Sequence, residues 1–146
     1  NTIKIYLNGE EIITQADSEG TFGVEKLSLD PGSNEIIALA LNEFDNESEA
    51  SAPLTVEFDN QVPTLELESP SDGMTVEEAT VEVKGKTELG ARVWVNERLV
   101  IVDQGEQESS FSTSISLKEG GNQITVVAKD SAENQTKKVV TVTYLP

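Results

Sequence analysis

The chain repeats itself. Lys4-Ile5-Tyr6-Leu7-Asn8-Gly9-Glu10 returns as Arg92-Val93-Trp94-Val95-Asn96-Glu97-Arg98, with base, aliphatic, aromatic, aliphatic and asparagine in the same order. Leu27-Ser28-Leu29-Asp30-Pro31-Gly32-Ser33-Asn34 returns as Ile115-Ser116-Leu117-Lys118-Glu119-Gly120-Gly121-Asn122. Asn34-Glu35-Ile36-Ile37-Ala38-Leu39-Ala40 then matches Asn122-Gln123-Ile124-Thr125-Val126-Val127-Ala128, and Leu54-Thr55-Val56-Glu57-Phe58 matches Val140-Thr141-Val142-Thr143-Tyr144. Four blocks in one order mean that whatever the second copy folds into, the first must nearly share.

Both copies alternate with period two. Leu65 and Leu67 are set against Glu66 and Glu68, Val81 and Val83 against Glu82 and Lys84, and Phe111, Ile115 and Leu117 against Ser112, Ser114 and Ser116. Side chains on a strand point alternately to opposite faces, so each run predicts a strand with one buried side. Turn formers divide the runs at Ser71-Asp72-Gly73, Glu88-Leu89-Gly90, Glu119 to Asn122 and Asp130 to Asn134, and no helical stripe appears. The expected fold is all-β: two tandem immunoglobulin-like antiparallel β-sandwiches. The second, 61–146, should be complete with about seven strands, and the first, 1–60, partial with about five. The first copy has no counterpart of the stretch from Pro63 to about Glu88, because Asn1 aligns with Leu89, and it is expected to lack its N-terminal strands. Tyr144-Leu145-Pro146 resembles the start of the junction Phe58 to Pro63, as in an array of such repeats, and a hinge is expected at Asp59 to Pro63.

The expected second core is Val93, Val95, Phe111, Ile115, Leu117, Ile124, Val126, Ala128, Val140 and Val142. The expected first core is Ile5, Leu7, Phe22, Leu27, Leu29, Ile36, Ala38, Ala40, Leu54 and Val56.

The order Pro63 to Gly73, then Val83 to Asn96 with its Trp94, then Leu117 to Asn122, then Val127 to Asn134 resembles bacterial immunoglobulin-like repeats, nearest the glucodextranase-like domain B family. The resemblance spans the second copy and, from Thr2 onward, the first. It implies a secreted or cell-surface bacterial setting. Modules of this kind serve as spacers, adhesin stalks and accessory domains of secreted enzymes, so the fold alone does not choose among these roles.

Composition removes most chemistry. Without a cysteine or histidine the chain has no disulfide, thiol nucleophile, imidazole base or usual zinc ligand. A formal net charge of −17 opposes phosphate backbones and anionic membranes, and no apolar run approaches a membrane span. Glu66, Glu68, Glu77, Glu78 and Glu82 are numerous enough for a glycosidase pair, but their alternation with core residues places them in water at strand surfaces. No catalytic residue is expected.

Two features remain. Tyr6 and Trp94 share a repeat position on the outer sheet face, where a ring can stack on a sugar, anchor an interface or cover a neighbouring strand. Asp59, Asn60, Asp130, Glu133 and Asn134 fall in loops, where their oxygens suit calcium, although side-chain-to-backbone turns explain Asp130 to Asn134 without a metal. No cofactor other than calcium is in question. The expected role is a non-catalytic extracellular spacer, adhesion or assembly module, with a carbohydrate-binding accessory module as the alternative. Expected partners are other domains of the same polypeptide or neighbouring subunits through strand addition, and cell-wall or extracellular polysaccharide.

Overall fold

The computed structural model describes all 146 residues and divides them into two compact units, Asn1–Asp59 and Asn60–Pro146, neither containing a helix. In the first unit β1 (Thr2–Leu7) and β2 (Glu10–Gln15) form a hairpin around Asn8 and Gly9, at φ 52° and 86°. Positive φ at both loop residues matches the turn to the right-handed twist of the strands, and Asn-Gly adopts it at least cost. β3 (Gly32–Leu41) pairs with the other side of β1, and β4 (Leu54–Phe58) with the start of β3, giving one antiparallel sheet in the order β2-β1-β3-β4.

That single sheet corrects two expectations. The segment between β2 and β3 forms no fifth strand, although Thr14 Oγ1 ties it down by donating to the Gly23 carbonyl at 3.0 Å. The predicted core is only partly packed. Ile5 and Leu7 are buried together with Ile3, and Leu27, Leu29, Ile36, Ala38, Ala40 and Val56 are half-buried, but Phe22 and Leu54 stay 44% and 60% exposed. Leu54 points to the apolar side, as the alternation requires, yet no second sheet lies in this unit to receive it.

Along the far half of β3, where β4 no longer reaches, two serines stand in for a strand. The Ser51 and Ser48 hydroxyls accept from the Ala38 and Ala40 N–H groups at 3.0 and 2.9 Å, while the Ser51 and Ser48 N–H groups donate back to the same residues' carbonyls. The backbone of a would-be open edge is thereby satisfied.

The second unit has nine strands, not seven, and one of them runs parallel to its neighbour. β5 (Leu65–Ser69), β7 (Thr80–Glu88), β10 (Val102–Gln104) and β11 (Glu108–Ser116) form a sheet in the order β10-β11-β7-β5. β6 (Met74–Val76), β8 (Arg92–Val95), β9 (Arg98–Val100), β12 (Gly120–Lys129) and β13 (Gln135–Tyr144) form the other, ordered β6-β13-β12-β8-β9, with β6 parallel to β13. The strands β6, β9 and β10 are three residues each, too short for an alternating pattern to register.

The two sheets share one core. Leu65, Val81, Val83, Phe111 and Leu117 from one meet Val93, Val95, Ile124, Val126, Ala128, Val140 and Val142 from the other. Every residue expected in this core is buried except Ile115, which packs against it half-exposed.

Each unit also contains the same asparagine clasp. Asn122 Oδ1 accepts from the Lys118 N–H at 2.9 Å, and its Nδ2 donates to the carbonyls of Lys118, Gly120 and Val142 at 2.7, 2.9 and 3.4 Å. Asn34, fully buried, does the same with Asp30, Gly32 and Val56, and its Oδ1 also accepts from Asn8 Nδ2 at 2.9 Å. A four-atom amide that pins a turn to the next strand accounts for the repeated asparagine.

Candidate functional site

Trp94 lies on β8 between Leu99 of β9 and Val127 of β12, its partners in register. Val93 and Val95 point into the core, so the indole projects from the outer face of the five-stranded sheet, half-buried among its neighbours. Arg92 and Lys129, paired across β8 and β12, flank it: the guanidinium carbon is 5.5 Å and the ammonium nitrogen 5.7 Å from the ring centroid. These are cation–π distances. Glu133, in the β12–β13 turn, bridges the cations, with Oε1 2.7 Å from Arg92 Nη2 and Oε2 3.5 Å from Lys129 Nζ.

The rest of this face follows from register. Lys137 pairs with Val127 and Val139 with Thr125, so Lys137 and Val139 lie beside Trp94's row, both exposed. Arg92, Lys129 and Lys137 face out from the strands β8, β12 and β13, and no Asp or Glu occurs on these strands. The opposite face of the same unit is the reverse. Glu66, Glu68, Glu82, Glu88, Asp103 and Glu108 project from β5, β7, β10 and β11, with only Lys84 and Lys86 among them. Lys86 is held above its ordinary pKa chiefly by its hydrogen bond to Glu108. The unit is therefore acidic on one side and basic with an aromatic centre on the other.

Tyr6 occupies the matching position in the first unit, but its surroundings differ. Its hydroxyl donates to Glu11 Oε2 at 2.9 Å, and this hydrogen bond, with some desolvation, holds the phenol above its usual pKa. Lys4, the counterpart of Arg92, binds Glu47 Oε1 at 2.9 Å and lies 3.6 Å from Glu11; the Glu47 bond is the main cause of its raised pKa. Glu11 pairs with Tyr6 just as Leu99 pairs with Trp94. One fold position thus carries a neutralised tyrosine in one unit and a cation-flanked tryptophan in the other.

Asp130 and Asn134 close the β12–β13 turn: Asp130 Oδ1 accepts from the Asn134 N–H at 2.9 Å and Oδ2 from its Nδ2 at 3.0 Å. In the first unit Asn42 closes the equivalent turn through the Phe44 and Asn46 N–H groups at 2.9 and 3.0 Å, so the turn needs an acceptor and not a charge. Asp59 ends the first unit and Asn60 begins the second. No three acidic side chains are placed so that they could hold a metal ion.

Sequence reasoning found Trp94 but missed Arg92, Lys129 and Lys137 as its company. Their spacing along the chain gives no periodic signal; only the β8–β12–β13 register brings them together.

The sequence model of glucodextranase domain B matches residues 63–144. The chain belongs to the glucodextranase domain B family. Bacillopeptidase F of Bacillus subtilis strain 168 is 37% identical over 141 residues, covering 94% of this chain but only 9% of that protein's length. The fibronectin(III)-like modules of Clostridium thermocellum CbhA share the fold, with a TM-score of 0.52 at 16% identity, over 98% of this chain and 77% of theirs. The domain B match falls on the unit that carries the complete two-sheet core and the Trp94 face. That core is the immunoglobulin-like architecture expected from the sequence.

Proposed function

We propose that the chain is a non-catalytic spacer and assembly module of an extracellular or cell-surface bacterial protein, built as two tandem immunoglobulin-like sandwiches, of which the first receives its second layer from a neighbour. One observation carries this reading. Ile36, Ala38, Ala40, Leu54 and Val56 line an apolar sheet face and are open or half-open. Their repeat counterparts Ile124, Val126, Ala128, Val140 and Val142 are closed over by β5, β7 and β11. Leu54 is 60% exposed where Val140 is 9% exposed. An uncovered apolar face recruits another β layer, from the same polypeptide or from another subunit. The match to about a tenth of Bacillopeptidase F suits a module within a much longer chain.

The test is to graft the segment Thr64–Glu88 ahead of Asn1. The graft is expected to abolish binding of a hydrophobic dye by the first unit, raise that unit's melting temperature and remove any concentration-dependent association seen in light scattering. A parent chain that is monomeric, binds no dye and gains nothing from the graft overturns the proposal.

A further inference from the structure

We infer that the outer face of the β9-β8-β12-β13 sheet binds a carboxylate-bearing polysaccharide, with Trp94 as the stacking platform and Arg92, Lys129 and Lys137 as its carboxylate contacts. This stands apart from the spacer reading, since a spacer needs no such face.

Three observations support it. The first is charge segregation. In a chain with 27 acidic residues, the strands that frame Trp94 carry none, whereas the opposite face carries six with two lysines. The remaining acidity of the chain is screened beyond about 8 Å at physiological ionic strength, so a ligand lying on the face meets the local cations. The second is the contrast between repeats. Leu99 stands opposite Trp94 where Glu11 stands opposite Tyr6, and Lys129 stands opposite Arg92 where Leu39 stands opposite Lys4, so the fold itself demands neither the cation nor the open apolar surface. The third is that the site already holds a carboxylate. Glu133 sits between Arg92 and Lys129 beside the indole, on an exposed turn at φ 66°. Exposed ion pairs are weakly held, so an arriving carboxylate can replace it.

The face favours a sugar acid over the other polyanions. It is flat, being the outside of an open sheet, and the groove of about 290 Å³ between Arg92, Leu99, Ile101 and Gln104 is not lined by the indole. A protein partner anchors its hot spots in pockets and its interface core is poor in lysine. A nucleic-acid strand brings a charge every 3.4 Å or so, closer than the roughly 4.8 Å between the neighbouring strands that carry the three cations. A polyuronate brings one carboxylate per ring, with an apolar C–H face to stack on Trp94.

Binding of the whole chain to polygalacturonate, to its methyl ester, to poly-glutamate and to single-stranded DNA, followed by affinity electrophoresis and Trp94 fluorescence, tests this. Polygalacturonate alone is expected to retard the protein and shift the emission, with the effect fading as salt is raised. Lys137→Glu is expected to weaken binding about tenfold, since an attraction becomes a repulsion. Glu133→Gln is expected to strengthen it, because the competing carboxylate is gone, and Lys84→Glu on the opposite face to leave it unchanged. Equal binding of the methyl ester, stronger binding of poly-glutamate or DNA, or indifference to both Lys137→Glu and Glu133→Gln overturns the inference. These two variants alter exposed side chains, so the result does not depend on Trp94→Ala folding.

Discussion

The ring of Phe111 lies against the backbone of Gly85, its register partner on β7. A methyl group on Gly85 would stand 2.7 Å from Phe111 Cζ and 2.2 Å from the Glu66 carbonyl oxygen. Glycine here is a packing requirement: the strand gives up a side chain so that the largest ring of the core can cross it. Gly85→Ala is expected to destabilise the second unit by ~2–3 kcal/mol, the usual range for an overpacked core, measured as a shift in the denaturant midpoint. Restoring space with Gly85→Ala/Phe111→Leu should recover less than the whole loss, because the Glu66 carbonyl clash persists.

Asn34 supports the first unit, which has fewer layers to spare. Asn34→Ala leaves the Asp30 N–H and the Asp30 and Gly32 carbonyls without this partner, and a cost of ~2–4 kcal/mol is expected from several lost hydrogen bonds. Amide exchange read residue by residue should show β1 to β4 opening while β7, β11 and β12 stay protected.

The two hairpins predict opposite effects of one exchange. Asn8-Gly9 turns β1 into β2 with Gly9 at φ 86°, and Asn96-Glu97 turns β8 into β9 with Glu97 at φ 66°. A non-glycine residue in this region costs roughly 1 kcal/mol. Glu97→Gly is therefore expected to stabilise the second unit by ~0.5–1 kcal/mol and Gly9→Glu to destabilise the first by a similar amount. Gly9 has no atom within 4 Å of an added Cβ, so only the backbone term changes. Melting curves of the two single variants check both signs.

Tyr6 gives a pH signature. Its bond to Glu11 raises the phenol pKa, so the folded state holds this proton more tightly than the unfolded chain does. The contribution is whole below the ordinary phenol value of about 10 and is lost as the pH rises through the raised one. In a Tyr144→Phe background, absorbance at 295 nm should show Tyr6 ionising above that value, and Glu11→Gln should bring it down. A Tyr6 titration that Glu11→Gln leaves unmoved contradicts the assignment.

What the sequence disclosed, and what it withheld, follows from what alternation encodes. Period two tells which side of a strand is apolar, and Val140 and Leu54 both obey it. It does not tell whether anything packs on that side; Val140 meets β5 and β7, and Leu54 meets no second sheet. The same limit hid the Trp94 face. Arg92, Lys129 and Lys137 come from three strands, and a face is a property of register, which hydrophobic pattern constrains only to within two residues.

The parallel pairing of β6 with β13 bears on how the second unit carries load. Met74, Thr75 and Val76 run alongside Val142, Thr143 and Tyr144, and the ladder continues through Gly73 N–H to the Thr141 carbonyl at 2.8 Å and Leu145 N–H to the Val76 carbonyl at 3.0 Å. Tension entering before β6 and leaving after β13 pulls these two strands in opposite directions along their length. Their hydrogen bonds then lie across the force and must break together, whereas a hairpin pulled open at its end releases them one at a time. The β6–β13 seam is thus arranged as a clamp that resists tension applied along the chain.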